Sequence, residues 1–259
     1  MQDAVERAIA TMWDRYEEPL SLDDIADTAI LSKFYFSRVF RTLTGTSPGR
    51  FLSAIRLHKA KHLLLRTELS VTDISYQVGY NSLGTFTSRF TRSVGLSPGR
   101  YRTLARTGMP VATRAFRSAA ARRTCAVRGS VGSPEVGLPT RIYVAAFSDP
   151  IVQGEPVACD ILDGPGEFLL SGVQEGVWHL RAAVVAVHDV EPQPWKRSPL
   201  FIGSSRPVTV RADQPIEVDL ETREFCPFDL PILLALPELD CWELPQPELA
   251  AGAVGLTRG

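Results

Sequence analysis

A chain of 259 residues, 44% apolar and 22% charged, can bury one or two cores and is too hydrophobic to stay disordered. Its net charge of −1 conceals a split: residues 1–125 carry 19 Lys or Arg against 10 Asp or Glu, whereas residues 126–259 carry 9 against 19. Residues 1–16 are too interrupted by charge for a secretory leader, and the aliphatic runs 182–187 and 232–236 fall far short of the roughly 20 residues of a membrane span, so a cytoplasmic protein is expected.

The first predicted helices are announced by their punctuation. Ser21-Leu22-Asp23-Asp24 supplies a hydroxyl cap and first-turn acids for a two-turn helix over about 22–29, with Ile25 inward. A second helix starts at Ser32, carries Phe36 and Phe40 four apart on one face, and stops at Gly45. Ser47-Pro48-Gly49-Arg50 follows, with Pro in the first helical position, and Phe51 begins a long linking helix to about Arg66.

The whole pattern then returns about fifty residues later. Ser70-Val71-Thr72-Asp73 caps a helix over about 71–78 with Ile74 inward, and Gly79 supplies the left-handed residue that ends it. A further helix starts at Ser82 with Phe86 and Phe90 on one face, followed by Gly95, Ser97-Pro98-Gly99-Arg100 and Tyr101. Two short helices joined by a tight turn make a helix-turn-helix, here twice in one chain, although helix pairs also build solenoids and bundles. Between residues 32 and 106 there are 13 basic side chains and two acids, Glu68 and Asp73, a field that attracts phosphate.

These residues resemble the AraC/XylS family over about Val5 to Arg102. The likeness rests on the run from Ser32 to Arg41, Ser47-Pro48, Arg56-Leu57-His58-Lys59-Ala60, Leu63-Leu64, Ser70 to Tyr80 and Phe86 to Tyr101. It implies a DNA-binding regulator of transcription whose two recognition helices, about 32–43 and 82–94, enter successive major grooves, with RNA polymerase as a further partner. Well-known members carry an effector-binding barrel before the reader, for which this chain has no room, so a sugar-type ligand is not inherited.

On the first recognition helix, with Phe36, Val39 and Phe40 inward, Lys33, Phe34, Ser37, Arg38 and Arg41 turn toward the groove. Arg38 is the candidate base reader, by a two-pronged contact to guanine, and Lys33 and Arg41 are candidate phosphate contacts. The same face of the second helix carries Leu83, Gly84, Thr85, Ser88 and Arg92. Ser88 stands where Arg38 stands in the first unit and where the family generally keeps a basic residue, so less base reading and more phosphate anchoring is expected there. Arg89 aligns with Val39 and can extend toward the DNA backbone.

His58 and His62, four apart, could share zinc, but no third ligand accompanies them and a solvated helix face is the expectation; no metal and no cofactor is implied. Cys125, Cys159, Cys226 and Cys241 lie too far apart for a CxxC pair and read as buried free thiols.

Residues 106–124 read as a basic linker after a helical domain over 1–105. From Cys125 the pattern changes to β-prone runs over 141–147, 157–162, 167–170, 177–187, 208–211 and 216–220, separated by Gly, Pro and Asp. The fold class expected is therefore multidomain, an all-α double helix-turn-helix followed by an all-β sandwich over 125–226. The stretches 132–139, Asp163-Gly164-Pro165-Gly166-Glu167-Phe168 and Gly176-Val177-Trp178-His179-Leu180 resemble carboxypeptidase regulatory-like or transthyretin-like domains, which implies a binding or structural module. Its partner is left open between a small molecule and a protein, and oligomerisation is open too.

Asp160, Asp163, Glu167 and His179 are titratable, but turn acids and a strand histidine are commonly solvated or satisfied by backbone. Without a nucleophile elbow, a phosphate loop or a paired-histidine zinc motif, no enzyme is expected. Residues 227–259 read as an apolar segment, packing on the sandwich or covering another subunit, and a mobile tail from Pro245. The alternative is that the β domain is the principal business, an interaction scaffold or enzyme that the helical domain localises to DNA.

Overall fold

The computed structural model describes residues 1–107, 124–187, 199–211, 214 and 216–234. Most of the basic linker, the stretch from 235 onward and Cys241 lie outside the described residues. No helix among those described is long and apolar enough to cross a membrane.

Among the described residues, seven helices build the first half: α1 (Gln2–Asp14), α2 (Leu22–Thr28), α3 (Lys33–Thr44), α4 (Pro48–Arg66), α5 (Val71–Gln77), α6 (Leu83–Val94) and α7 (Pro98–Thr107). Both expected caps form in full. The Ser21 hydroxyl accepts the Asp24 N–H at 3.2 Å while the Asp24 carboxylate accepts the Ser21 N–H at 2.8 Å. Ser70 and Asp73 repeat this at 3.0 and 3.3 Å. Gly45 and Gly95 end α3 and α6 with φ of 74° and 91°. Gly79, at φ 81°, also lies so close to the carbonyls of Tyr16 and Glu17 that a Cβ would sit 2.8 Å from each.

The paired phenylalanines close two separate cores. Phe36 and Phe40 bury against Ile25, Ile55 and Phe51, with Phe51 edge-on to Phe40 at 5.4 Å. Phe86 and Phe90 bury against Ile74, Leu57 and Tyr101, with Tyr101 edge-on to Phe90 at 5.8 Å. The aromatic that follows each Ser-Pro-Gly-Arg string is thus the lid of its own unit. Helix α1, which the punctuation does not announce, covers the first core with Val5, Ala8, Ile9 and Met12. Helix α4 runs 19 residues, roughly 28 Å, and begins at Pro48 rather than Phe51.

The second half holds β1 (Thr124–Gly132), β2 (Thr140–Phe147), β3 (Ala158–Leu162), β4 (Gly166–Gln174), β5 (Gly176–Ala186), β6 (Phe201–Ser204), β7 (Val208–Val210), β8 (Ile216–Glu217) and β9 (Leu220–Arg223). The sequence predicts a sandwich of two stacked sheets. The strands instead form one hydrogen-bonded path, β3-β2-β5-β6-β9-β1-β4, and its two end strands approach each other in a nearly closed, barrel-like sheet. There the Asp160 carboxylate accepts the Leu169 N–H at 2.7 Å, a side chain replacing a ladder bond between β3 and β4. Gly129 of β1 has no room for a side chain, since a Cβ would lie 1.9 Å from the Val218 carbonyl oxygen. Cys125, Cys159 and Cys226 are free and only partly buried.

Among the described residues, two segments pack between the halves. The one between β2 and β3 touches the linking helix and the second helix-turn-helix unit: Asp149 pairs with Arg50 of α4 at 2.7 Å, and the Gly154 N–H donates to the Ser93 carbonyl of α6 at 2.9 Å. A strap over 226–234 lies between reader and sheet. Phe228 and Leu230 pack on the first helical core, Leu233 is buried in the second, and Ile232 and Leu234 lie on the sheet beside Tyr143 and Val185. The Lys61 ammonium donates to the carbonyls of Ile232, Leu233 and Leu234 at 2.9–3.4 Å. Burial pushes its pKa down to about 8, while the three carbonyls favour the charged form.

Candidate nucleic-acid interface

In both units the core phenylalanines fix which helix face remains free. On α3, Phe36 and Phe40 are fully buried, so Lys33, Phe34, Arg38 and Arg41 stand exposed and Ser37 is half-buried beside them. Phe34 is 74% exposed, an apolar ring kept in water on the face that carries the bases' expected reader. Arg38 lies 6.0 Å from the Tyr35 ring, which is itself exposed; sequence reasoning missed Tyr35, whose signal was its spacing of three from Arg38. Lys33 is partly engaged, 3.2 Å from Asp23 of α2, a solvent-exposed pair that a phosphate could replace at little cost.

On α6, Leu83, Gly84, Thr85, Ser88, Arg89 and Arg92 are all exposed. Arg89 reaches sideways, its guanidinium donating to the Ser53 hydroxyl of α4 at 3.4 Å. The helix starts also differ. Ser82 caps α6 by accepting the Thr85 N–H at 3.3 Å, whereas Ser32 makes no such bond and leaves the first-turn N–H groups of α3 free for an anion. Both starts read as serine in the sequence, so this difference had no signal there.

The β half attaches at the other ends of these helices. A Cβ on Gly45, the stop of α3, would meet Pro150 at 3.9 Å, and the Ser93 hydroxyl near the end of α6 lies 3.1 Å from the Gln153 amide oxygen. The N-terminal turns of α3 and α6 therefore stay uncovered by its described residues.

His58 and His62 are not the solvated pair expected. Their Nε2 atoms lie 3.2 Å apart, and His58 packs edge-on to Trp13 at 5.7 Å. Burial, with smaller repulsion from His62, Lys61 and Lys59, pushes the His58 pKa down to about 3. His58 belongs to the packing of α4 against α1, and no group of three or more potential metal ligands gathers among the described residues. Arg56 is also spent on structure, donating at 2.7 Å to the carbonyls of Tyr16 and Glu18.

Residues 25–104 match the family model described as a helix-turn-helix domain. The transcriptional activator RhaS of Enterobacter sp. (strain 638) is 36% identical over 98 residues, 38% of this chain and 35% of that protein. RhaS of Escherichia coli O1:K1 is 37% identical over 90 residues, 35% of this chain and 32% of its own. The helical half is an AraC/XylS-type DNA-binding domain. A transcriptional regulator with an AraC-type DNA-binding domain from Chromobacterium violaceum is 29% identical, with 42% of this chain and 96% of that one covered and a TM-score of 0.38. The chain spans about a third of the length of the RhaS proteins it matches.

Proposed function

We propose that this protein is a sequence-specific DNA-binding regulator of transcription that lays α3 and α6 in successive major grooves of one duplex. The observation that carries the reading is the exposure of Lys33, Phe34, Arg38 and Arg41 on α3 together with Thr85, Ser88 and Arg92 on α6, inside an AraC-type domain. In this reading Arg38 reads a guanine edge, Ser37 and Phe34 contact neighbouring bases, and Lys33 and Arg41 hold phosphates. On α6, Leu83, Gly84, Thr85 and Ser88 line the groove, with Arg89 and Arg92 toward the backbone. The name of the RhaS relatives supports activation through RNA polymerase, and a cytoplasmic location fits that role. The β half serves as the sensing or partner-binding module.

Selection of duplexes from a random pool by the full chain tests the reading. An enriched bipartite site whose half-sites lie about one DNA turn apart is expected, with loss of the first half-site preference in Arg38→Ala. Binding to the enriched site should fall steeply with salt, since about 6–10 neutralised phosphates cost about three to five decades between low and moderate salt. Failure to enrich any sequence, with binding insensitive to salt, would overturn it.

A further inference from the structure

Between the two halves lies a cavity of about 420 Å³, within the range of about 300–1,000 Å³ of small-molecule sites. One wall is the outer face of the sheet, with Tyr143, Ala145 and Phe147. The strap supplies a second wall through Phe228, Ile232 and Leu234, and the last turn of α3 supplies a third through Leu43 and Thr44. These are surfaces an apolar molecule would cover. Polar side chains join them: Arg181 of β5, Gln2, Ser204 and the ion pair of Arg223 with Asp229.

Arg181 is partly buried and donates to the carbonyls of Leu180 at 3.0 Å and Pro150 at 2.9 Å, which uses two of the five N–H donors of a guanidinium. The acids nearest to it are committed elsewhere. Asp149 holds Arg50 and the Ile151 N–H, and Asp229 holds Arg223 through both oxygens as well as the Cys226 N–H. Among the described residues Arg181 makes no ion pair, so its charge faces the cavity with donors to spare, whereas Arg223 beside it is already neutralised by Asp229. Burial lowers its pKa, with Asp229 and Asp149 pulling the other way, and a guanidinium remains charged through such a shift.

We propose that this cavity is a regulatory site for a small apolar carboxylate, its hydrocarbon part against the sheet and strap and its carboxylate on Arg181. The site is wired to the reader. Leu43 and Thr44 close the recognition helix α3, and Pro150 belongs to the segment whose Asp149 pairs with Arg50 and whose Gly154 bonds Ser93 at the end of α6. An occupant therefore touches the elements that tie the two recognition helices together, and its differential fit to the DNA-bound and free arrangements becomes a change in DNA affinity. This regulatory role rests on the DNA-binding reading above, whereas the binding itself does not.

The test uses the full chain and calorimetric titration with three probes of one shape: 2-naphthoate, 2-naphthalenemethanol and 2-naphthylmethylamine. The expected result is one naphthoate per chain, with the alcohol bound about tenfold more weakly or worse and the amine not at all. Arg181→Gln should bring naphthoate and alcohol to equal affinity. Thr44→Phe, which narrows the cavity from the helical side, should weaken both while thermal unfolding stays cooperative, so a failure of one variant to fold leaves the other to decide. No naphthoate binding at millimolar concentration, or equal binding of acid and amine, overturns the site. A saturating naphthoate concentration should then shift the midpoint for an enriched duplex about fivefold or more, and not in Arg181→Gln. Bound naphthoate with an unshifted midpoint overturns the regulatory role, and bound naphthoate without any DNA binding overturns the regulator reading alone.

Discussion

The two helix-turn-helix units, α2–α3 and α5–α6, are built on the same interior and present different exteriors. Each has a Ser–Asp capping box, a buried pair of phenylalanines four apart, a left-handed glycine and a Ser-Pro restart whose following aromatic closes the core. Outside, Arg38 in the first unit corresponds to Ser88 in the second, and α6 has a side-chain cap that α3 lacks. Folding constrains the first set of positions tightly because each loss leaves a cavity or an orphan N–H. The exposed positions are free to diverge, so the comparison separates residues kept for stability from residues available for recognition.

The largest effects should fall on the shared interior. Phe36→Ala and Phe86→Ala remove equivalent, fully buried rings and should each cost about 3–5 kcal/mol in chemical denaturation. A large loss at one site and tolerance at the other would break the equivalence of the two cores. Next comes the helix both units share. The His58 pKa is held at about 3 in the folded chain against an ordinary 6.5, so below pH 6.5 the unfolded chain takes up a proton that the folded one refuses. Stability should therefore fall on acidification through that window, by at most about 1.4 kcal/mol per pH unit, and His58→Gln should flatten the slope.

Smaller changes sharpen the contrast between the exteriors. Arg38→Ala should reduce discrimination at one base position by about 1–3 kcal/mol, measured as relative affinity for single-base variants of the enriched site, while Ser88→Ala should change it far less. Equal losses would mean that both helices read bases alike. Smallest is the difference at the helix starts: Ser82→Ala should cost about 0.5–2 kcal/mol of stability, and Ser32→Ala, which removes no cap bond, clearly less. A weaker hold on DNA by Ser32→Ala at unchanged stability would mark that helix start as a phosphate contact.

The helical half was legible because its signals are local. Hydroxyl, acid, glycine and proline act within a turn of where they sit, and the spacing of Phe36 and Phe40 shows which face is left exposed. Helix α1 was passed over although Val5, Ile9 and Met12 carry helical spacing, because no capping side chain marks its start. In the β half, Gly129 and Gly132 dilute the alternation that Val127 and Val131 provide, and β1 was lost to view. The run 216–220 reads as one strand and is two, interrupted where Val218 bonds Arg128 and Asp219 bonds Ser130. Strand order and the Arg50–Asp149 pair, 99 residues apart, have no local signature, and Arg181 reads as one more residue of a predicted strand.

The segment after β2 acts as a cross-brace. Because it is fastened to Arg50 at the start of the linking helix and to Ser93 at the end of α6, the offset between the two recognition helices is set by a closed frame in which the linking helix is one side. Each base pair inserted between half-sites rotates the second by roughly 34° around the duplex, and a braced frame cannot follow that rotation. Operators for this protein should accordingly share one invariant spacing, with sequence drift confined to the half-site beneath α6.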